Sequence, residues 1–494
     1  MPAEEGKSRL PPVPHASTPH ASPPDAAAPE TVAPVTGTRG MPPSARAAVR
    51  GGIGGNVVDQ IHIFLPVVAL APALPTLIGA EHVVTAGAWV IAATLIGRPV
   101  GAMVFGRLAD RTSRTATTRI AILGTAVCTL GIALLPGQEL LGAGSLVLLL
   151  LLRFAAGIFL AGEYSAAIPL AMEWSVPRRR GLYSGLIMAM APWAQAGISA
   201  ATAIGLLLLG PEQYASWGWR GVFALGTAGS VAMLVYYRRR VVDPPASMPP
   251  PAPLRSVPTW AEQAPSAPKR TRPAPSEPRL GDLLWGRLRG SFWQVFGLMT
   301  GLWLMTQMVA IVIVGRLGGD LHLPPGTVSA VMLTASIGQA IAMSLTGHLS
   351  TLMGRRRFFV LAGAVAAVGG PLCWIATMGS GGGLGTVLGV LGLQVLTVPA
   401  YGPVGAYLTE RFPREVRSTA YGTAYSLSIV VPALYVLYLP GLESLTGRVG
   451  GPVALLVLGG VLVGVCGALG PRLSPRETVD GIDQVAAREQ GGDR

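Results

Sequence analysis

Charged side chains are scarce in this sequence of 494 residues. They make up 12% of the chain, whereas hydrophobic residues make up 50%. A typical soluble domain carries about 25% charged residues, which cover its surface in water. The scarcity of charge therefore excludes an ordinary water-soluble protein and predicts a chain that is dissolved in a lipid bilayer.

Lysine and cysteine are also rare, and the motifs that depend on them are missing. The only lysines are Lys7 and Lys269, so no glycine-rich phosphate loop ends in Lys-Ser or Lys-Thr, which argues against an ATP-driven pump. Cys128, Cys373 and Cys466 lie in apolar runs without metal-ligand spacing and are expected to be small core residues. The sequence also lacks a Gly-x-Ser-x-Gly elbow. We therefore expect neither an enzyme nor a bound metal or cofactor.

What the chain does contain is a series of long apolar runs. About twelve runs of about 20 residues are long enough to cross a hydrocarbon core of about 30 Å. Their continuous Leu, Ala and Gly content differs from the alternating pattern of a β-barrel strand. The sequence therefore predicts an all-α membrane protein with twelve transmembrane helices. The runs begin near Gly54, Val84, Arg119, Ser145, Leu182, Arg220, Phe292, Thr327, Phe358, Leu384, Ser418 and Gly451.

The arginines fall in alternate loops and predict the orientation of the spans. Basic residues in short loops mark the cytoplasmic side of a membrane. If both ends of the chain are cytoplasmic, the arginine clusters 178–180, 238–240 and 355–357 all lie inside. Topology then accounts for the net charge of +13 without a nucleic-acid partner. The first apolar run is too long for a signal peptide, so it is expected to remain as a membrane span. The preference for Arg over Lys suggests a bacterial source. The predicted location is therefore the plasma membrane of a bacterium, its inner membrane.

Two proline-rich stretches without apolar runs divide the chain. Such stretches bury too little apolar area to offset the entropy of ordering, so they are expected to be unstructured. The second splits the spans six and six and is expected to be a flexible linker. The predicted organisation is a cytoplasmic N-terminal tail at 1–45, a six-helix bundle at 46–240, a cytoplasmic linker at 241–289, a second six-helix bundle at 290–472 and an unstructured cytoplasmic C-terminal tail at 473–494.

The ends of some spans repeat between the two halves of the chain. Residues 98–114 read RPVGAMVFGRLADRTSR, and residues 347–357 read GHLSTLMGRRR. A later junction, EWSVPRRRG, is matched by ERFPREVRS, and in both the Glu precedes the last Arg by seven residues. Such acids and bases at a cytoplasmic rim can clamp a bundle in one state and release it in another, or they can serve only to fix topology. The predicted gate residues are Gly106, Asp110, Arg111, Arg114, Glu173, Arg180, Gly347, Arg355, Glu410 and Arg417.

These strings carry a resemblance to a known family. The Gly-x-x-x-Asp-Arg-x-x-Arg junction at 106–114 resembles the loop motif of the major facilitator superfamily. Longer strings resemble its metabolite:proton symporter branch: RPVGAMVFGRLADR, RFAAGIFLAGEYSAAIPLAMEWSVPRRRG, WGWRGVF and ERFPREVRSTAYG. The resemblance covers roughly residues 50 to 472. It implies the major facilitator fold, two pseudo-symmetric six-helix bundles, and transport of carboxylates, shikimate-like acids or zwitterionic osmolytes.

Few ionisable residues lie within the predicted spans, and each is costly at bilayer depth, so each is a functional candidate. Asp59 and His62 lie on nearly the same helix face and form a candidate proton site, although His62 could instead only donate a hydrogen bond to another helix. Arg153 matches a fourth-helix arginine of the family, whose implied role is proton coupling or anion attraction; the alternative is an ion pair that only locks two helices. Glu163 follows about three turns further along that helix. These four are the predicted coupling residues.

The first span departs from the family pattern. Relatives typically carry an acid, then an aromatic residue, then a second acid. Here Asp59 keeps the first acid, Gln60 replaces the aromatic residue and His62 stands at the second acid. The resemblance therefore implies proton coupling for this chain, but it does not imply which residues of the first span carry the proton.

The substrate is expected near the midplane of the membrane, between the two halves. Its predicted ligands are Arg98, Trp193, Gln195, Gln307, Gln339 and Tyr401, with Trp303 as a further lining residue. An anionic substrate would depend on Arg98 or Arg153, whereas a zwitterionic or neutral one could use the amides and phenols of the second half. The alternative for each aromatic residue is an ordinary packing or interfacial role.

The function that the sequence favours is proton-coupled symport of a small polar metabolite, a carboxylate or a zwitterion, by alternating access. The altered first helix and the scarcity of charge in the second half leave open an exporter driven by proton antiport. A third alternative is a non-transporting membrane sensor or scaffold. The predicted partners are the lipid bilayer, a small-molecule substrate and protons, and the chain is expected to act as a monomer.

Overall fold

The described residues of the computed structural model are 41–78, 83–244 and 280–491. Most of the predicted N-terminal tail and most of the predicted linker lie outside them, at 1–40 and 245–279. The described residues are helical and contain no β-strand. A helix pairs every backbone group within its own segment, which is what a chain in lipid requires. The all-α prediction is confirmed.

Twenty-one α-helices are formed by the described residues. Those before the proline-rich linker are α1 Pro43–Phe64, α2 Leu74–Ile78, α3 Val83–Arg111, α4 Arg114–Ala133, α5 Gln138–Leu141, α6 Gly144–Glu173, α7 Arg180–Met188, α8 Met190–Gln213 and α9 Trp219–Arg240. Those after it are α10 Leu280–Leu284, α11 Arg289–Thr306, α12 Ile313–Gly319, α13 Pro325–Met353, α14 Arg355–Gly379, α15 Gly383–Thr397, α16 Val404–Glu410, α17 Arg417–Leu427, α18 Val430–Ala433, α19 Tyr435–Ala468, α20 Pro475–Thr478 and α21 Ile482–Gly491.

Short π-helical and 3₁₀ turns join several of these helices. The π turns are Leu65–Ala69, Tyr214–Gly218 and Gln307–Val312, and the 3₁₀ turns are Ala71–Ala73, Pro177–Arg179 and Val398–Tyr401. The helix α1 therefore continues through two such turns into α2. Turns of the π type occur frequently at functional sites.

Ten helical runs among the described residues are long and apolar enough to cross a membrane. One of them, Pro177–Arg240, has 64 residues, whereas one crossing needs about 20. It breaks at Gly210, whose φ of 76° is readily adopted only by glycine. The helix α19 breaks in the same way at Gly447, with φ 82°. If each break separates two crossings, and α17 and α18 lead into the first part of α19, the helices are consistent with the twelve predicted crossings.

The two six-helix halves meet along two equivalent pairs of helices. In one pair α3 of the first half packs on α17 of the second, and in the other α7 packs on α13. Glycine permits both contacts. A Cβ on Gly106 would lie 2.6 Å from the Cα of Thr419, and a Cβ on Gly347 would lie 2.6 Å from the Cα of Gly185. Two of the predicted gate residues are therefore small because the backbones of the two halves touch there.

The C-terminal segment is helical, so the prediction of an unstructured tail is wrong for its described part. Ser474 and Glu477 form a capping box at the start of α20. The helix α21 then packs against α16. Its Val485 is only 1% exposed. The apolar face of α21 is too short to resemble a membrane span, and it is buried against the ends of the bundle instead.

Candidate functional site

Arg98 of α3 lies at the centre of the molecule, between the two halves. Its side chain is 2% exposed. The guanidinium carbon lies 5.2 Å from the ring centre of Tyr164 and 5.7 Å from that of Tyr425. Its Nε and Nη2 atoms are buried without a hydrogen-bond partner among the described residues. Two aromatic rings thus flank a cation whose Nε and Nη2 edge is left without a hydrogen bond among the described residues.

The aromatic residues around Arg98 come from both halves. The rings of Tyr164 and Tyr425 stack with centres 4.9 Å apart. Trp303 packs edge to face with Tyr425 and with Tyr401, and the ring centres are 5.4 Å apart in each case. Tyr401 and Trp303, which the sequence predicts to line the substrate site, therefore lie beside Arg98. The buried hydroxyl of Tyr401 has no hydrogen-bond partner among the described residues.

Asp59 and Glu163 form a second buried group next to this cluster. Both side chains are buried, and each carboxyl group acts electrostatically on the other. Neither oxygen of Glu163 has a hydrogen-bond partner among the described residues. The absence of a side chain at Gly55 provides space for the carboxyl group of Glu163, because a Cβ there would lie 3.2 Å from Oε1 of Glu163. The charge of Arg98 also acts on Asp59, so the carboxyl pair and the guanidinium belong to one electrostatic site.

His62 and Arg153 belong to a different network. The His62 ring is hydrogen-bonded through Nε2 to Ser230 at 2.6 Å and through Nδ1 to Thr129 at 2.9 Å. Arg153 donates from Nε to Thr94 at 3.0 Å and from Nη1 to the carbonyl of His62 at 3.3 Å. Both ring nitrogens of His62 thus bind hydroxyl groups of neighbouring helices, as its alternative role requires. The roles of His62 and Arg153 in proton coupling stay predictions.

The remaining predicted substrate ligands are not all at the centre. Gln307 is buried at the start of a π turn. Gln195 and Gln339 are half-buried, and Gln339 reaches the sulfur of Met343 at 3.6 Å. Trp193 is 47% exposed, as an interfacial or lipid-facing ring would be. Of the six predicted ligands, the contacts among the described residues therefore bring only Arg98 and Tyr401 into the central cluster.

Sequence reasoning missed Tyr164 as a site residue. Its hydroxyl accepts a hydrogen bond of 2.5 Å from Gln60, the residue that replaces the family aromatic in the first span. A signal was present, since Tyr164 directly follows Glu163 and is a polar aromatic residue within a span. Gln60 was noted only as a departure from the family pattern, yet it joins α1 to the aromatic cluster.

The predicted gate residues converge at one end of the bundle, which we call the arginine-rich rim. Arg114 forms ion pairs with Asp110, at 3.8 Å, and with Glu173. Glu173 accepts a hydrogen bond of 2.6 Å from Arg417 of the second half. The oxygens of Asp110 accept from the backbone N–H groups of Ser418 and Thr419, at 2.9 and 2.8 Å. An acid of the first half thus caps the positive end of α17.

A second ion-pair group at the rim is related to the first by the repeat. Arg180 donates to Oε1 of Glu410 at 3.1 Å. Arg355 holds the same carboxylate with two bonds, from Nε at 3.1 Å and from Nη2 at 3.0 Å. The side chains of Arg180 and Glu410 are both 2% exposed, so the pair is fully removed from water. Arg111 is exposed at the same end, on the last turn of α3.

The C-terminal segment completes both groups, which the sequence did not predict. Asp483 of α21 accepts a bond of 2.7 Å from Arg417, and the carbonyl of Asp480 accepts one of 3.1 Å from Arg180. The signals for this helix are the Ser-x-x-Glu pattern at Ser474 and the apolar spacing of Ile482 and Val485. Both were hidden by the polar composition around them.

Comparison with known proteins gives a consistent result. The sequence profile of the Major Facilitator Superfamily matches residues 61–315. The chain is 31% identical over 361 residues to the "Inner membrane metabolite transport protein YhjE" of Escherichia coli (strain K12), across 70% of this chain and 75% of that protein. It is 25% identical over 344 residues to the "Proline/betaine transporter" of the same strain, across 68% of this chain and 65% of that protein.

Among solved structures, the fold is similar to that of the proton:xylose symporter XylE bound to 6-bromo-6-deoxy-D-glucose. The TM-score is 0.66, over 90% of this chain and 99% of that chain, at 14% sequence identity. At so low an identity the likeness shows the fold alone. It agrees with the arrangement of two pseudo-symmetric six-helix bundles that the sequence predicts.

Proposed function

The chain belongs to the Major Facilitator Superfamily, and from that membership we propose that it is a proton-coupled symporter that imports a small metabolite bearing a carboxylate. It is a multi-pass membrane protein, and its family and relatives are transporters rather than enzymes. We further propose that the arginine-rich rim faces the cytoplasm of a bacterial inner membrane, because basic residues are retained on that side.

The observation that carries the substrate proposal is the unpaired edge of Arg98. Its Nε and Nη2 groups lie on one edge of the guanidinium, and two N–H groups on one edge match the two oxygens of a carboxylate. A buried guanidinium without a partner is costly, so an anion at this edge would be stabilising. Proline and betaine, which are named for one relative, each carry a carboxylate.

The aromatic residues beside Arg98 suit the rest of such a substrate. The faces of Trp303 and Tyr401 can cover an apolar or cationic part of a zwitterion, because the face of an aromatic ring attracts positive charge. The hydroxyl of Tyr401 and the amide of Gln307 could bind a polar group. A neutral sugar would leave the Arg98 edge unpaired, so a carboxylate is the better match.

Proton coupling would follow from competition for the charge of Arg98. If the pair of Asp59 and Glu163 holds a single proton, its remaining negative charge neutralises Arg98. A second proton makes the pair neutral and frees the guanidinium for the carboxylate of the substrate. Binding of the substrate and of a proton would then favour each other, as symport requires.

Alternating access would use the ion pairs at the arginine-rich rim. Arg180 with Glu410 and Arg417 with Glu173 join the two halves there. At the opposite rim, Arg316 pairs with Glu443 within the second half. The halves are thus locked together at the arginine-rich rim, which we propose is the closed cytoplasmic gate. All parts of this cycle lie within one chain, so we propose that a monomer is sufficient.

The test is proton flux into sealed proteoliposomes that contain a pH-sensitive dye, challenged with carboxylates, zwitterions and hydrophobic cations. We expect proton entry together with a carboxylate-bearing compound in the wild type and no coupled entry in Asp59→Asn. The control is Glu139→Gln, which changes an exposed acid and should leave the flux intact.

Other results would replace this proposal. Proton movement opposite to a hydrophobic cation would identify an exporter driven by antiport. Uptake of a carboxylate that is unchanged in Asp59→Asn would keep the substrate class but remove the coupling mechanism. Absence of flux with every class, in protein that is folded and correctly reconstituted, would favour the non-transporting sensor or scaffold.

A further inference from the structure

An open cleft lies between the first turns of α1 and the last turns of α9. It has a volume of about 700 Å³ and is lined by Pro43, Ser44, Arg46, Ala47, Arg50, Tyr236, Arg239 and Arg240. We call it the α1/α9 cleft. It is separate from the central site, because Asp59 lies about 14 Å further along the same helix than Arg50, the lining residue of α1 nearest to it.

The cleft concentrates positive charge that no carboxylate of the described residues balances. Its four arginines are Arg46, Arg50, Arg239 and Arg240, and their side chains are exposed. Among the described residues none of them pairs with a carboxylate; Arg46 donates only to the carbonyl of Met41, at 3.1 Å. By contrast, the buried arginines at the gate hold acids, as Arg417 holds Glu173. Four guanidinium groups around one cleft, without a carboxylate partner among the described residues, repel one another unless an anion binds between them.

The two helices that form the cleft are held together by a direct contact. The hydroxyl of Tyr236 donates to the carbonyl of Ala47 at 3.1 Å and ties the two helices together at its wall. Arg46 and Arg50 are four residues apart on α1 and therefore face the same side. Both helices are regular to their described ends, so the four charges are presented from a rigid frame.

The surroundings of the cleft match a phospholipid better than a soluble anion. Val231, Val235 and Arg239 follow one another at four-residue spacing, so they form one stripe on α9. Val231 and Val235 are exposed, as side chains in contact with lipid are. An acyl chain lying along the two valines would bring its headgroup phosphate to Arg239. We propose that the α1/α9 cleft binds the phosphate of an anionic phospholipid, with the guanidinium groups of α1 and α9 on either side of it.

The test uses the full-length protein in detergent, titrated with phosphatidylglycerol or phosphatidylcholine and observed by native mass spectrometry. We expect phosphatidylglycerol to bind at least about tenfold more tightly, since each arginine near an anionic headgroup contributes to affinity. The cleft variant changes four arginines to Gln: Arg46→Gln, Arg50→Gln, Arg239→Gln and Arg240→Gln. We expect it to lose that preference.

A matched control removes the same charge elsewhere on the rim, with Arg178→Gln, Arg179→Gln, Arg356→Gln and Arg357→Gln. It should bind phosphatidylglycerol within about twofold of the wild type, because its arginines lie outside the cleft. If the variant with all four substitutions does not fold, two double variants replace it: Arg46→Gln with Arg50→Gln on α1, and Arg239→Gln with Arg240→Gln on α9. Each should bind phosphatidylglycerol about threefold more weakly than the wild type.

Three results would overturn the proposal. The first is equal binding of the two lipids to the wild type. The second is an equal loss in the cleft variant and the matched control, which would show only general attraction to charge. The third is displacement of phosphatidylglycerol by glycerol 3-phosphate or inorganic phosphate at matching concentrations, which would assign the cleft to a soluble phosphate instead of a lipid.

Discussion

Glu173 accepts a hydrogen bond of 2.6 Å from Arg417, although Arg180 is the base that follows it in its own repeat. Arg180 in turn bonds to Glu410, the acid of the other repeat. Each repeated acid therefore binds the base of the opposite half. Because the pairs cross between the halves, they can exist only while the arginine-rich rim is closed, and they must separate if that rim opens.

Glu173→Gln is expected to weaken the closed rim strongly. It leaves Arg417 and Arg114, both mainly buried, without their shared acid. Loss of one partner of a buried ion pair costs about 3 to 5 kcal/mol. We expect amide hydrogen exchange in α17 to accelerate by about tenfold or more. The same measurement on the exposed Glu139→Gln should show no change; equal rates in both variants would mean that the pair does not hold the rim.

Asp483→Asn should have a much smaller effect at the same place. It removes a bond of 2.7 Å to Arg417, but the side chain of Asp483 is 61% exposed. Ion pairs in contact with water contribute at most about 1 kcal/mol. We expect less than about a fivefold change in the exchange rate of α17. An effect as large as that of Glu173→Gln would show that α21, rather than the crossed pairs, holds the rim.

Gly347→Ala is expected to prevent full closure of the rim. Its new Cβ would lie 2.6 Å from the Cα of Gly185, closer than packed carbon atoms allow, and that atom belongs to the backbone. We expect loss of transport and faster amide exchange in α7 and α13. Gly315→Ala is the matched control, because nothing lies within 4 Å of its Cβ. Normal transport by Gly347→Ala would show that the two backbones can separate at little cost.

Arg98→Lys should weaken substrate binding although it keeps the positive charge. Lysine has no planar pair of N–H groups on one edge and cannot bind a carboxylate in the same bidentate way. We expect the apparent affinity for the carboxylate that drives proton flux to fall by about tenfold or more. The control is Arg220→Lys, since Arg220 stacks on Trp219 away from the central cluster. Full activity of Arg98→Lys would show that a positive charge at this position is sufficient and that bidentate binding of a carboxylate is not required.

Asp320 is expected to give the opposite rim a small acid sensitivity. Burial opposes the shift, but the hydrogen bond from Arg448 and the charge of Arg316 hold the pKa of Asp320 below its usual range. The stabilisation is present above the ordinary pKa of about 3.9, and it is lost as the pH falls through the lowered value. We expect it to be under about 1 kcal/mol. The thermal midpoint of the wild type should exceed that of Asp320→Asn at pH 6, and the difference should shrink as the pH falls to 3. A difference that does not change with pH would show that ionised Asp320 does not cause the acid sensitivity.

Several features of the site could be read from the sequence because they depend on local composition. Arg98 and Glu163 stand out as charges in apolar runs, and such charges are costly unless they are used. Their neighbours could not be read in the same way. The sequence pairs Asp59 with His62 because the two lie on one helix, whereas in the structure the carboxyl group of Asp59 is coupled electrostatically to that of Glu163 on another helix. Tyr164 was missed because an aromatic residue in a span is ordinary.

The sequence by itself determined that the chain is an all-α membrane protein of two related halves. A bilayer of given thickness demands apolar runs of a given length, and both the runs and the repeated junctions are visible in the order of residues. Only the tertiary structure decided which charges meet. Glu173 and Arg417 are 244 residues apart, and their pairing depends on how the halves pack. The docking of α21 was decided in the same way, because a short helix with few apolar residues is stable only against the surface that buries it.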